Sequence, residues 1–140
     1  MHYSEDDIQR YMKAAFVQAE EAYAQGEVPV GCVLVHDLKI IGRGRNRPNE
    51  TCNATKHAEM VAIDEILGYK TGSTSNARSL SNSDASTSQQ APFTPNVFSE
   101  TDLFVTVEPC VMCASALRQL APAPKKKSKR ILKSDDLSVR

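Results

Sequence analysis

VTVEPCVMCASALRQL, residues 105–120, joins a β-branched apolar run to two cysteines three apart and then to a helix-like pattern. The run reads as the end of the strand LFVTV, residues 103–107. Pro109 fits the first turn of the helix that follows, where its missing N–H would have had no intrahelical acceptor. Cys110 and Cys113 then stand at a helix start, where the positive end of the peptide dipole favours thiolate. A CxxC pair alone leaves two readings open: a structural or incidental pair in a reducing cell, or two metal ligands. A third ligand would decide, and TKHAEMVAI, residues 55–63, places His57 and Glu59 at the mouth of another predicted helix.

Working outward, Ser4 and Asp7 have the spacing of a capping box. Ile8, Met12, Ala15/Phe16, Ala19 and Tyr23 then recur at helical intervals up to Gly26. VPVGCVLV and LKIIGRG, on either side of His36-Asp37, predict a hairpin, with Gly31 permitting close backbone approach. EMVAIDEIL, residues 59–67, predicts a helix closed by Gly68. Residues 71–99 are dominated by Ser, Thr, Asn, Gln and Pro and read as a low-complexity, mobile insertion. Pro122 and Pro124 stop the last helix, and PKKKSKR opens a basic tail. The element order predicts an α/β fold with a sheet flanked by helices, without giving the strand order.

The 140 residues suit one domain, expected over 1–121 with a flexible tail over 122–140. No long apolar run suggests a membrane span, and the acidic N-terminus lacks the apolar core of a secretion signal. Cys32 and Cys52 have no disulfide-framework spacing; the first reads as a packed strand residue and the second as a loop thiol, which favours a reducing compartment. Residues 1–124 hold ten Lys and Arg against fifteen Asp and Glu, whereas residues 125–140 hold seven against two. The whole-chain charge therefore does not argue for a nucleic-acid partner, although the tail can attract one locally. KKKSKR, residues 125–130, fits a nuclear import signal, a tRNA contact or a solubilising tail.

The order His57-x-Glu59 followed by Pro109-Cys110-x-x-Cys113 matches the signature of the zinc deaminases. One imidazole and two thiolates leave the fourth tetrahedral position of Zn2+ open for water, whereas a structural site closes it with a protein ligand. A carboxylate two residues after His57 can lean over that position and relay protons to a substrate ring nitrogen and leaving amine. A redox role for the cysteine pair would leave His57 and Glu59 unused.

Longer stretches carry a narrower resemblance. EVPVG at 27–31, GRGRN at 42–46, NATKHAEMVAI at 53–63 and VTVEPCVMCASALRQL resemble the catalytic subunits of eukaryotic wobble-position tRNA adenosine deaminases, over roughly residues 5–70 and 101–120. The resemblance, and not the element order, implies a mixed sheet: a cytidine deaminase-like fold of five strands with helices on both faces. It also implies a tRNA substrate, a homologous non-catalytic subunit as heterodimer partner, no membrane association, and a nuclear or cytoplasmic location. It makes His57, Cys110 and Cys113 the ligands, Glu59 the proton shuttle and Asn46 a contact to the target base. Val28, Pro29 and Val30 become pocket wall, with Ala58 near the base. From the residues alone, Asn46 before Arg47-Pro48-Asn49 reads as a turn former, and Arg43, Arg45 and Arg47 fit phosphate contacts or solvated side chains equally well.

The resemblance fails after residue 120, where APAPKKKSKRILKSDDLSVR supplies no counterpart to the family's further strand and terminal helix. The sheet is thus expected to lack its C-terminal strands, exposing LFVTV as an edge. Two alternatives to a wobble-position enzyme stand beside it. One is deamination of a free nucleoside or base; the other is an impaired, truncated scaffold that binds a partner without turnover.

Overall fold

The first helix forms where the capping box predicts it. The Ser4 hydroxyl accepts from the Asp7 N–H at 3.1 Å, and Asp7 Oδ2 accepts from the Ser4 N–H at 3.3 Å. Glu5, Asp6 and Asp7 complement the positive end of α1, Glu5–Ala24. The computed structural model describes residues 3–69, 93, 95–121 and 131–132. The buried stripe of α1 is Tyr11, Met12, Ala15, Ala19 and Ala22, so Phe16 and Tyr23, expected on that face, are exposed. The 3.6-residue period carries the face from Ala19 to Ala22 and leaves Tyr23 outside it.

β1, Gly31–His36, and β2, Lys39–Arg45, form the predicted antiparallel hairpin. Its turn is Asp37-Leu38, one residue later than the sequence suggested. Both residues have positive φ, as a two-residue hairpin matched to strand twist requires. Two helices follow: the four-residue α2, Pro48–Thr51, which sequence reading took for a turn, and α3, Ala58–Leu67. A 3-10 helix, Pro95–Glu100, leads into β3, Asp102–Val105, and then into α4, Val111–Leu120.

The predicted insertion at 71–99 lies outside the described residues except for 93 and 95–99, which belong to ordered structure: Phe98 is buried in the core. The basic tail likewise lies outside them, apart from β4, Ile131–Leu132.

The sheet order is β2-β1-β3-β4. β1 runs antiparallel to both neighbours, and β4 pairs in parallel with β3 through Leu103↔Ile131 and Phe104↔Leu132, which makes the sheet mixed. The LFVTV edge, expected to be bare, thus has a two-residue neighbour. Among the described residues the sheet has four strands and stays open.

Alternation along the strands sends side chains to opposite faces. Val33, Val35 and Phe104 face α1, where Tyr3, Tyr11 and Phe104 pack their rings with centroids 4.9–5.7 Å apart. Cys32, Leu34, Leu103 and Val105 face Ala58, Ala62, Ile63 and Ile66 of α3 and Leu117 of α4. Each such fully buried aliphatic side chain stabilises by about 1.5–3 kcal/mol relative to exposure.

Two glycines set how near the helices come. A Cβ at Gly31 would lie 2.2 Å from the Ala15 carbonyl oxygen of α1, and one at Gly44 would lie 1.9 Å from the Ala58 carbonyl oxygen of α3. The bare backbone therefore lets both helices lie directly on the sheet. Among the described residues, no helix is long and apolar enough to cross a membrane.

Candidate metal centre and active site

His57 is the N-cap of α3 and Cys110 the N-cap of α4, both with extended backbone. Pro109 therefore precedes the N-cap instead of standing in the first helical turn. Neither N-cap side chain bonds to its own helix. They turn toward one another: Cys110 Sγ lies 3.5 Å from His57 Nδ1, and Cys113 Sγ lies 3.7 Å from the same nitrogen. The three donor atoms lie within 4.8 Å of one another.

The spacing can be tested against an ion. Tetrahedral Zn2+ with bonds of about 2.3 Å to sulfur and 2.05 Å to nitrogen separates its N and S donors by about 3.6 Å. The chain's two separations bracket that value. Burial pushes the Cys113 thiol well above its ordinary pKa, and the nearby Glu59 carboxylate adds to the effect. A cation in the cluster would reverse the balance by favouring thiolate. The donor set and its geometry thus fit a zinc-binding deaminase site.

Glu59, the second residue of α3, is buried at 4% exposure, and Cys113 is fully buried, whereas Cys110 is exposed. The cluster accordingly has a closed side toward the core and an open side at Cys110. Cys32 sits in β1 beneath it, outside the donor cluster, and its thiol is also pushed up by burial and then by Glu59. Cys52 is an exposed thiol, as expected, at the left-handed C-cap of α2.

Asn46 is a buried residue just beyond β2, and its side chain reaches α3: Oδ1 accepts from the Ala58 N–H at 2.9 Å. It satisfies the first N–H of the helix from a distance, which leaves the His57 imidazole uncommitted to capping. A backbone N–H can only donate, so this bond fixes which amide atom is oxygen and directs Nδ2 elsewhere. The Asn46 N–H in turn donates to the Val30 carbonyl at 3.1 Å, joining two of the segments expected to flank a substrate. Val30 is half-buried against the core, Val28 and Pro29 are exposed, and Ala58 is fully buried. The β1 side of this segment meets the β3–α4 connection, where the Thr106 N–H donates to the Gly31 carbonyl at 3.1 Å.

The arginines divide. Arg45 Nη1 lies 2.9 Å and Arg47 Nη2 2.7 Å from the Glu50 carboxylate, which they hold down to a pKa of about 2, Arg47 contributing most. Their guanidinium groups are thus engaged within the fold, while Arg43 remains exposed. Sequence reading missed Glu50, and it missed the buried Glu27 beside it. A lone Glu in a polar loop carries no local signal of its partners.

A helix-flanked open sheet with a His-Cys-Cys cluster between two helix N-termini, and a buried Glu two residues past the His, defines a deaminase-type metal centre. The chain belongs to the family described as the cytidine and deoxycytidylate deaminase zinc-binding region, which matches residues 5–125. It is 45% identical over 115 residues to tRNA-specific adenosine deaminase 2 of Xenopus tropicalis, covering 82% of this chain and 58% of that protein. It is 46% identical over 117 residues to the protein of the same name from Danio rerio, covering 84% and 47%. The chain thus spans about half the length of these curated relatives.

A structure from a study of A-to-I editing by tRNA:A34 deaminases at the wobble position is 34% identical, with a TM-score of 0.54 over 78% of this chain and 66% of that one. Guanine deaminase from Bacillus subtilis, at 22% identity, shares the fold with a TM-score of 0.60 over 90% and 62%.

Proposed function

We propose that this chain is the catalytic subunit of a zinc-dependent tRNA adenosine deaminase, converting adenosine and water to inosine and ammonia at the anticodon wobble position. The observation that carries the reading is the buried Glu59 beside a His57-Cys110-Cys113 cluster whose two nitrogen–sulfur separations match those around tetrahedral zinc. His57, Cys110 and Cys113 would hold Zn2+, which when bound supplies an acidified water for attack on C6 of adenine. Glu59 takes one proton from the attacking water and delivers it to the ring nitrogen, then takes the second from the new hydroxyl on C6 and passes it to the departing amine, which leaves as ammonia. Asn46 spends its oxygen on the Ala58 N–H, so it offers the base Nδ2 donors and selects a base that presents an acceptor there. Val28, Pro29 and Val30 form the wall and Ala58 the floor near the base, which leaves its anticodon stack to enter.

The tRNA substrate is supported by the names of the relatives and by the wobble-editing structure, whereas the heterodimer rests on the resemblance of the sequence to the catalytic subunits of wobble-position deaminases. A homologous partner subunit suits the exposed Val107 in the β3–α4 connection and Val111 and Met112 at the start of α4, apolar side chains close in sequence to Cys110 and Cys113. We assign the activity to residues 1–121, with the insertion ending before Phe93 and a basic segment over 122–140 that contributes β4 to the sheet, and place the protein in the nucleus or cytoplasm.

The test measures inosine formation in an anticodon stem-loop and in free adenosine, by the chain alone and co-expressed with a homologous subunit. The stem-loop is expected to react, in the complex, in strong preference to free adenosine. Glu59→Ala is expected to keep zinc and RNA affinity while losing about 100-fold or more in turnover. Equal rates on free adenosine would move the reading to a nucleoside deaminase. Wild-type zinc with no turnover in the complex would leave a scaffold, and unchanged turnover in Glu59→Ala would remove Glu59 from the chemistry.

A further inference from the structure

Glu27 is a carboxylate at 5% exposure, outside the metal cluster. Its backbone N–H donates to the Ala22 carbonyl at 3.0 Å, which fixes it to the end of α1. Its side chain reaches α2: Oε1 accepts from the Glu50 N–H at 2.8 Å and Oε2 from Asn49 Nδ2 at 3.1 Å. The N-cap of α2, Arg47, makes no side-chain cap of its own, so Glu27 supplies that cap from another segment. The loop carrying α2 is closed at its base by the Arg47 N–H donating to the Lys56 carbonyl at 2.9 Å, with Asn46 and His57 on either side of that bond. Arg45 and Arg47 are drawn onto Glu50, the residue whose N–H Glu27 holds.

We propose that Glu27 is a positioning residue for substrate: it brackets the 28–30 segment against the 46–51 segment and so sets the spacing between Val28-Pro29-Val30 and the Asn46 amide. The proposal rests on the reading of those residues as the substrate-flanking wall. Its effect is confined by the way α3 is held. Ala58 and Ala62 are fully buried, and Gly44 seats the helix on β2, so packing as well as the Asn46 bond to the Ala58 N–H holds α3, with His57 and Glu59, when the loop loosens. Loss of Glu27 therefore weakens substrate binding while sparing zinc and the proton relay.

The experiment compares wild type, Glu27→Ala and Glu27→Gln in the zinc-loaded complex of the preceding test. Amide exchange, zinc content, and KM and kcat on the anticodon stem-loop are measured for each. Glu27→Ala leaves the part-buried Glu50 N–H without its acceptor, and KM should rise about tenfold with kcat changed less than about threefold. Exchange should quicken about tenfold in residues 46–51 and stay unchanged in α1 and α4. Glu27→Gln should recover wild-type behaviour to within about threefold, since its oxygen can accept from the Glu50 N–H and the Asn49 amide can turn to meet its nitrogen.

An unchanged KM, a fall in kcat as large as the rise in KM, faster exchange throughout the chain, or failure of Gln to rescue would each overturn the proposal. If Glu27→Ala does not fold, Asn49→Ala, which removes one of the two bonds, should give the same local exchange and KM pattern at smaller size, and its absence would count equally against Glu27. If wild type forms no inosine, the functional reading has failed. The exchange comparison then still decides whether Glu27 holds 46–51.

Discussion

A single methyl group at Gly44 tests how the fold builds the site. The Cβ of Gly44→Ala would lie 1.9 Å from the Ala58 carbonyl oxygen and 2.7 Å from the Ala62 nitrogen, both backbone atoms of α3. To reach even 3.0 Å, the helix must retreat from β2 by about 1 Å. Close-packed interiors absorb such overpacking at a cost of about 1–3 kcal/mol. His57 rides on the N-terminus of α3 while Cys110 and Cys113 ride on α4, and metal sites tolerate only about 0.2 Å of error in ligand distance. Zinc affinity should therefore fall about 10- to 100-fold, the size of loss seen when groups that orient ligands are disturbed.

Chelator competition reads the affinity, and denaturant unfolding of the zinc-free and zinc-loaded chain reads the stability. Gly26→Ala is the control: its φ of +74 makes a side chain strained by about 1 kcal/mol, but the space around it is open and it follows α1, which carries no ligand of the cluster. Gly44→Ala with wild-type stability and zinc affinity would refute the close-approach argument. An equal loss of zinc in Gly26→Ala would trace the effect to general destabilisation.

Two further predictions concern the ligands and the arginine clamp. The purified chain should carry one zinc ion by elemental analysis, and the Cys110→Ala, Cys113→Ala double variant should lose it together with part of its thermal stability, because metal binding and folding are coupled; a folded wild-type chain without zinc would defeat the ligand assignment. Glu50, whose pKa is lowered from 4.5 to about 2 mainly by its bond to Arg47, contributes stability that is present above about pH 4.5 and lost as pH falls toward 2. Its side chain is partly exposed, so the effect is small and weakens with salt, and Glu50→Gln should flatten that acid limb of the stability profile; identical limbs in urea melts would exclude the clamp as their cause.

The candidate ligand set was legible in the sequence because its parts are local. A helix start needs only a few neighbouring residues, and Ser4 with Asp7, His57 before AEMVAI, and Cys110 before VMCASALRQL each carry that signal in one short stretch. The hairpin and the strand before Cys110 were legible for the same reason. What local pattern could not give is the meeting of His57 with Cys110, 53 residues apart. The order β2-β1-β3 and the bare backbones of Gly31 and Gly44 decided that, by seating helices on both faces at backbone distance.

Tertiary structure also decided the polar wiring. Asn46, read from its neighbours as a turn former, caps α3 across the loop; Arg45 and Arg47 close on Glu50; Glu27 is buried by a segment some twenty residues away. A polar side chain's partner is set by what the fold brings within about 3 Å of it, and the residues beside it in the chain do not contain that information. The same holds at the sheet edge, where the tail after Leu120 looked unable to pair, yet Ile131 and Leu132 add a short parallel ladder to β3. Pairing of strands so far apart in sequence depends on a crossover that only the folded chain defines.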